Sequence, residues 1–264
     1  MKKHWTEQLF VKHSHLFMKV MEMGLQKARA EAEAVHTLLV KHGIKPGSQL
    51  LDLNCGIGRH AVELARLGYR VTGVDFAPAY IERAKQLAKE KRVGTKVVFR
   101  VVDTRQVAQT LAGATFDAVL NLFTSFGYYD DQTNLKILHG ARQLVRRDAL
   151  FLIDIGNRDQ MAQDLVHPHT FIRREDLLIL VEHKLLQETA RLNSTWTFLR
   201  EVPKQRYQME GQVLIDQRIY NLHELIEIFA QAKWRFVGAF GGFDLKPFQL
   251  SARRIVAVFE AIGK

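Results

Sequence analysis

Short apolar runs alternate along the chain with segments whose apolar residues recur at helical spacing. From Met18 to His42 the spacing is three or four residues, which predicts an amphipathic helix ending near Gly43. Further apolar runs predict strands over 49–54, 69–75, 96–102, 116–122 and 149–155, and periodic segments predict helices over 57–67, 78–91 and 132–147. Nearly unbroken apolar strands indicate a parallel sheet that is covered on both faces.

A change of pattern follows between about residues 171 and 220, where polar and apolar residues alternate, as in Thr195 to Leu199. Alternation with a period of two is typical of antiparallel strands with one covered face. The chain then returns to a predicted helix over 221–232 and strands over 235–239 and 253–259. The sequence therefore predicts an α/β fold with a Rossmann-like doubly wound sheet and an antiparallel β insertion.

The 264 residues, of which 47% are hydrophobic, suit one domain with an insertion. We divide the chain into an N-terminal helical segment over residues 1–46, which acts as a lid, and a main domain over 47–264. No apolar run reaches the roughly 20 residues needed to cross a bilayer, and the first residues lack the apolar stretch of a signal peptide. A single cysteine, Cys55, excludes an internal disulfide. The sequence predicts a cytoplasmic protein.

The formal charge of +10 favours acidic partners such as RNA and anionic metabolites. The basic residues are dispersed, however, and pairs such as Arg146-Arg147 are the densest groups, which is typical of a solvated surface. His167 and His169 lack acidic or cysteine partners at the spacing of a metal site. We predict no metal.

The clearest candidate site is the run from Asp52 to Gly58, which follows a predicted strand and opens a predicted helix. Gly56 and Gly58 permit close approach of the backbone, and the helix start presents free N–H groups to a polar or anionic ligand. Asp75 ends the next strand, where a carboxylate suits a ribose diol. Because ligands of open parallel sheets bind at the carboxyl ends of the strands, these residues are expected to converge.

This run resembles the first motif of the class I S-adenosylmethionine-dependent methyltransferases, acidic-x-Gly-x-Gly-x-Gly. Asp52, Gly56 and Gly58 fall on the motif, and Cys55 lies within it. Asn54 replaces the first glycine, and asparagine tolerates left-handed geometry. The resemblance covers nearly the whole chain and extends to a subgroup with an antiparallel β insertion after the fifth strand. It implies S-adenosyl-L-methionine as cofactor and an antiparallel last strand.

The same resemblance assigns further cofactor contacts to the strand ends. It implies that Asp75 binds the ribose hydroxyls, that Phe76 packs on the adenine, and that Asp103-Thr104 meets the adenine amino group. The segment that begins Asn121-Leu122-Phe123 corresponds to the wall between the cofactor sulfonium and the methyl acceptor.

Four residues are candidates for binding the acceptor. Tyr128 and Tyr129 follow the fourth strand, and Arg218 and Tyr220, near the end of the insertion, suit a substrate carboxylate or phosphate. A surface salt bridge is the alternative for Arg218.

A sulfonium methyl is already activated, so the expected reaction is in-line transfer to a nitrogen or oxygen without a metal or a covalent nucleophile. The acceptor proton would leave through Tyr128, Asp130 or His223, and no catalytic base is assigned. The insertion and the N-terminal segment resemble a pocket cover, which favours a small-molecule acceptor. The acceptor's identity and the oligomeric state stay open.

Three alternatives remain. The charge leaves room for an RNA methyltransferase. Gly56 to Ala61 also fits the Gly-x-Gly-x-x-Ala fingerprint of an NAD(P)-dependent oxidoreductase, with Asp75 about 20 residues on. Against that interpretation stand Asp52 and Asp103 at strand ends. The third alternative is a non-enzymatic cofactor-binding protein, because Asn54 departs from the motif.

Overall fold

A computed structural model describes residues 4–165, 167–203 and 206–263; the first three residues of the predicted lid and residues 204–205 of the predicted insertion lie outside it. The strands of its larger sheet are β1 (Gln49–Leu53), β2 (Arg70–Asp75), β3 (Val97–Val101), β4 (Phe116–Asn121), β5 (Val145–Gly156), β10 (Trp234–Phe240) and β11 (Arg254–Ala261). The strands of the smaller sheet are β6 (His169–Arg174), β7 (Leu177–Leu186), β8 (Arg191–Val202) and β9 (Arg206–Arg218). The helices are α1 (Ser14–Met23), α2 (Leu25–Lys41), α3 (Arg59–Arg66), α4 (Pro78–Glu90), α5 (Val107–Thr110), α6 (Asp131–Gln143), α7 (Arg158–Asp164) and α8 (Leu222–Gln231).

The larger sheet has seven strands in the order β10-β11-β5-β4-β1-β2-β3. Strand β1 pairs in parallel with β2 and β4, while β11 is antiparallel to both β5 and β10. This arrangement confirms the predicted doubly wound sheet with an antiparallel last strand. The strand order reverses between β4 and β1, and such a switch point opens a crevice at the carboxyl ends of the strands.

Two apolar layers cover the sheet, as the unbroken apolar strands predict. Leu51 and Leu53 of β1 join the layer that contains α6 and α8. Leu50, between them in sequence, points to the opposite layer with α2, α3 and α4. Because successive side chains of a strand point to opposite faces, a strand buried on both faces must be apolar throughout.

The smaller sheet is the predicted insertion, with four antiparallel strands in the order β6-β7-β8-β9. Its inner face, which includes Ile179 and Phe198, packs on the N-terminal segment through Leu9 and Phe10. The insertion returns to the larger domain at Gly127, whose carbonyl accepts a 2.8 Å hydrogen bond from the Arg218 N–H. A Cβ at Gly127 would lie 2.0 Å from the Arg218 carbonyl oxygen, so this junction requires glycine.

Several boundaries differ from the prediction: helix α1 begins at Ser14, and β5 begins at Val145. The single helix expected from Met18 to His42 is instead α1 and α2, separated at Gly24, whose carbonyl accepts a hydrogen bond from Arg59. The helix expected to reach residue 147 ends at Gln143, since the Leu144 carbonyl accepts the Phe116 N–H and starts the pairing of β4 with β5. Within the described residues, none of the helices has the length and apolar character needed to span a membrane.

Candidate functional site

The loop between β1 and α3 adopts the backbone that its motif predicts. Asn54, Gly56 and Gly58 all have positive φ, at 55°, 54° and 74°. A Cβ at Gly58 would lie 2.6 Å from the Phe99 ring, so both φ and space require glycine there. Asn54 adopts the left-handed conformation in place of the motif's first glycine, as predicted, and its amide donates to the Ser125 carbonyl at 2.9 Å.

Asp75 joins this loop to the end of β2. Its carboxylate accepts hydrogen bonds from the Gly56 N–H at 3.0 Å and the Ala77 N–H at 2.9 Å. The side chain is buried, and burial raises its pKa to about 6, opposed by these backbone N–H groups. This carboxylate is therefore fixed at the carboxyl end of β2, next to the glycine loop that follows β1.

Two buried polar atoms near Asp75 lack hydrogen-bond partners among the described residues. They are Oδ2 of Asp52 and the hydroxyl of Tyr80, and each residue is 2% exposed. Burial, with a smaller contribution from Asp75, raises the pKa of Asp52 to about 7, while Arg59 opposes the shift. Burial also raises the pKa of Tyr80, so the phenol keeps its proton and can donate. Unpaired buried polar groups are costly, which makes both atoms candidates for ligand contact.

These residues line one cavity. Among the predicted site residues, it brings together Asp52, Asn54, Cys55, Gly56, Asp75, Phe76, Leu122, Phe123 and Tyr128. The lining residues that sequence reasoning missed are Phe10, Phe17, Met21, Ile57, Arg59, His60, Tyr80 and Ser125. Helical periodicity predicts α1 but does not say what its apolar face covers.

An aromatic cluster closes the cavity on the side of the N-terminal segment. Phe10 packs against Phe17, Phe76 and Tyr128 with ring centres 5.3, 6.1 and 5.4 Å apart. Trp5 packs edge-on against Tyr128 at 5.2 Å. The chain's first described helical turns therefore lie against the loops that follow β2 and β4, where they exclude water.

A buried ionic cluster fixes the helix side of the glycine loop. Glu31 of α2 pairs with Arg59, and its Oε2 lies 2.7 Å from His60 Nε2. Burial raises the pKa of Glu31, but the neighbouring His60 and Arg59 lower it by more. The pKa of Glu31 therefore falls to about 2. The Arg59 guanidinium also lies 4.8 Å from the centre of the Phe123 ring. Arg59 therefore links α2, the glycine loop and the segment after β4.

Four predicted cofactor residues, Gly58, Asp103, Thr104 and Asn121, do not line the cavity. Gly58 packs against Phe99 under the loop. The Asn121 amide donates to the Ser125 carbonyl at 3.3 Å, so it holds the segment after β4. Thr104 is buried at the end of β3.

Asp103, at the same strand end, accepts hydrogen bonds from Arg105 on both carboxylate oxygens. Partial burial raises the pKa of Asp103, but the hydrogen bonds from Arg105 lower it by more. Its contact with the adenine amino group stays a prediction.

The predicted acceptor residues divide into two groups. Tyr128 lines the cavity, and Tyr129 stacks on the His4 ring at 5.1 Å next to it. Arg218 instead pairs with Glu224 at 3.2 Å, and the Tyr220 hydroxyl donates to Asp131 at 2.5 Å. These contacts hold the insertion to α6 and α8, and an acceptor contact of Arg218 or Tyr220 stays a prediction.

Of the candidates for moving a proton, Tyr128 alone lines the described cavity. Burial raises its pKa, so at neutral pH its phenol is protonated. The Asp130 carboxylate accepts the Thr133 N–H at 2.7 Å and caps α6, and His223 pairs with Glu227 on the exposed face of α8. Burial raises the pKa of Cys55 too, consistent with a packed thiol.

The part of the chain that carries this site is similar to known methyltransferases. Residues 50–148, which include β1 to β4 and the glycine loop, match the family model of a methyltransferase domain. The ubiquinone biosynthesis O-methyltransferase of Cereibacter sphaeroides is 34% identical over 113 residues, 43% of this chain and 43% of the relative. That of Nitrosococcus oceani is 36% identical over 81 residues, 31% of this chain and 33% of the relative. The chain thus spans less than half the length of these curated relatives.

Solved structures match over nearly the full length. The CcbJ methyltransferase from Streptomyces caelestis is 21% identical, with a TM-score of 0.76 and 90% of both chains covered. An S-adenosylmethionine-dependent methyltransferase from Clostridium acetobutylicum is 14% identical, with a TM-score of 0.78 and coverage of 96% of this chain and 98% of that one.

At such identities the likeness shows the fold, which is that of the class I methyltransferases. Together with the family match, it confirms the resemblance to the S-adenosylmethionine-dependent members of that class.

Proposed function

We propose that the protein is an S-adenosylmethionine-dependent methyltransferase that transfers a methyl group to a nitrogen or oxygen of a small molecule. The observation that carries this proposal is the buried Asp75 carboxylate, bound to the Gly56 N–H at the carboxyl edge of β1 and β2. An acid in this position suits the two hydroxyls of a ribose. The match of residues 50–148 to a methyltransferase domain supports the same cofactor.

The described residues fit this cofactor. Asp75 would hold the ribose, Phe76 would pack on the adenine, and the unpaired Asp52 oxygen suits the cationic amino end of the methionine moiety. When bound, the sulfonium supplies a methyl group that is already activated for attack by a lone pair. The chain then has to orient the acceptor and exclude water, which Phe10, Phe17 and Tyr128 do around the cavity.

The small-molecule acceptor follows from the cover over the site. Residues 1–46 would act as a lid, since Phe10, Phe17 and Met21 of the described part line the cavity and the insertion packs behind them. The ubiquinone biosynthesis O-methyltransferases and a sugar N-methyltransferase from Streptoalloteichus, with a TM-score of 0.69, bear names of small-molecule enzymes. Their acceptors differ in the reacting atom, so nitrogen and oxygen both remain in the proposal.

Calorimetric titration with S-adenosylmethionine, S-adenosylhomocysteine and NAD tests the cofactor. We expect the first two to bind and Asp75→Asn to weaken them at least tenfold, because the amide replaces a charged acceptor of ligand hydrogen bonds. Asp148→Asn is the matched control, since Asp148 is an exposed acid of β5 that does not line the cavity. Binding of NAD alone would overturn the proposal in favour of an oxidoreductase.

RNA as the acceptor is tested in the same preparation. Binding of a single-stranded oligonucleotide through phosphates weakens with salt by about 0.7 per contacted phosphate in log-log slope. We expect a flat response, and a steep one combined with methyl transfer to the oligonucleotide would replace the small molecule by RNA.

A further inference from the structure

A second cavity adjoins the one proposed for the cofactor. Consecutive residues of two segments border the two cavities: Tyr128 lines the first, while Tyr129 and His4 line the second. The Trp5 ring packs on Tyr128 and the neighbouring His4 ring stacks on Tyr129. Adjacent residues of the segment after β4, Tyr128 and Tyr129, therefore lie at the boundary of the two cavities.

Cationic side chains dominate the lining of the second cavity. Arg105, Lys136 and Arg191 come from three elements that are distant in sequence and converge around Tyr129. One carboxylate, that of Asp130, also lines it, and this group accepts the Thr133 N–H at 2.7 Å as the cap of α6. Within the described lining, positive groups thus outnumber negative ones.

Both arginines are fixed before any ligand binds. Asp103 accepts hydrogen bonds from Nε and Nη2 of Arg105, whose guanidinium lies 4.8 Å from the centre of the Tyr129 ring. The Arg191 Nε donates to Asp216 at 2.7 Å. Neither carboxylate lines the cavity, and Lys136 has no ion-pair partner in the described parts of the chain. Preorganised cations bind an anion at lower entropic cost.

The two guanidinium groups also act on His4, which lines the same cavity. Burial and then the charges of Arg105 and Arg191 lower the pKa of His4, while Asp216 and Glu7 oppose the shift.

We propose that this second cavity binds an anionic group of the methyl acceptor, a carboxylate or a phosphate, while the acceptor's reacting atom lies in the first cavity beside Tyr128. Planar guanidinium groups match both kinds of oxyanion, and a lysine adds a flexible point charge. This inference rests on the proposed function and narrows the acceptor to anionic small molecules.

The test titrates inorganic phosphate and succinate separately into the full chain, with and without S-adenosylhomocysteine, at constant ionic strength. We expect at least one anion to bind. The anion that binds more tightly indicates whether the acceptor carries a phosphate or a carboxylate. Lys136→Gln should weaken that binding about fivefold, as expected for an exposed charge contact. Lys89→Gln, an exposed lysine of α4 that lines neither cavity, is the matched control and should leave it within twofold.

Equal anion affinities of the Lys136→Gln and Lys89→Gln variants would overturn the inference, as would the absence of binding by both anions. If S-adenosylhomocysteine binds in either case, the proposed function stands while the anion site fails. If the anions bind at Lys136 but S-adenosylhomocysteine does not bind, the cofactor assignment fails instead.

Discussion

Two groups of buried polar side chains border the first cavity, and they differ in whether their hydrogen bonds are made. Glu31, Arg59 and His60 bind one another, so each buried charge has a partner of opposite sign or a hydrogen bond. Across the glycine loop, Asp52 keeps a carboxylate oxygen without a partner, and Tyr80 keeps its hydroxyl unpaired, as far as the described residues go.

The first group is therefore expected to stabilise the fold, and the second to bind a ligand. A satisfied cluster stabilises the free protein and fixes α2 against α3, whereas unpaired groups lower its stability and gain partners when a ligand arrives. Mutations in the first group should therefore lower the free energy of unfolding. Mutations in the second group should weaken ligand binding, and some of them should raise the free energy of unfolding.

Removal of Glu31 should give the largest effect. Glu31→Ala leaves Arg59 and His60 buried without their carboxylate, and breaking a buried pair in this way costs about 3 kcal/mol of unfolding free energy. Urea unfolding followed by circular dichroism measures it.

Glu33→Ala is the control on the same helix, because Glu33 pairs with Arg29 at the exposed surface and should barely shift the midpoint. Equal shifts in the two variants would show that the cluster around Arg59 is not a stabilising element.

The sequence predicted those cavity residues that lie at the ends of strands. Asp52 and Asp75 were predicted because each lies near the end of an apolar strand, and Gly56 because it follows one; parallel strands bring their carboxyl ends together. Phe10 and Phe17 were missed because they precede the helix predicted from Met18, and the lid predicted over residues 1–46 named no side chains. Tyr80 was missed because an aromatic residue on an apolar helix face is indistinguishable from core.

Long-range pairings were beyond prediction for the same reason. Glu31 and Arg59 are 28 residues apart, and no local spacing links them. The alternation of the insertion predicted strands near Tyr220, but the partners of its hydroxyl, Asp131 and Asn134, belong to α6. The hydrogen bond from the Arg59 side chain to the Gly24 carbonyl is another such pairing.

The pH dependence of stability should show the two groups in separate ranges. The pKa of Glu31 is lowered from 4.5 to about 2, so its stabilising contribution is present above pH 4.5 and lost as the pH falls towards 2. The pKa of Asp52 is raised from 3.8 to about 7, and that of Asp75 to about 6. Their contribution is present below pH 3.8 and lost as the pH rises to about 7.

We therefore expect the free protein to be most stable near pH 4 and to lose stability as the pH rises from there to 7. Urea unfolding at a series of pH values measures both slopes. Asp52→Asn should flatten the slope above pH 4, and Glu31→Gln should flatten the slope below it. Unchanged slopes in both variants would mean that other groups dominate the titration.

Tyr80→Phe gives the smallest effect and the sharpest contrast, because the chain holds a matched tyrosine. Tyr69 is as deeply buried as Tyr80, but its hydroxyl lies 2.9 Å from His36 Nδ1 and donates to the Ile44 carbonyl at 3.3 Å. Deleting an unpaired hydroxyl should stabilise the free protein by about 1 kcal/mol, whereas deleting a paired one should destabilise it by a similar amount.

The affinity for S-adenosylhomocysteine should change in the opposite sense. Tyr80 lies near Asp75, whose charge helps to raise its pKa, and its hydroxyl borders the cavity. Tyr80→Phe is expected to weaken binding about fivefold, and Tyr69→Phe to leave it unchanged. A gain in stability together with a loss in affinity is a result that a purely structural tyrosine does not give. Loss of stability in Tyr80→Phe would instead show that its hydroxyl is already bonded in the free protein, and the contrast between the two groups would fail at this residue.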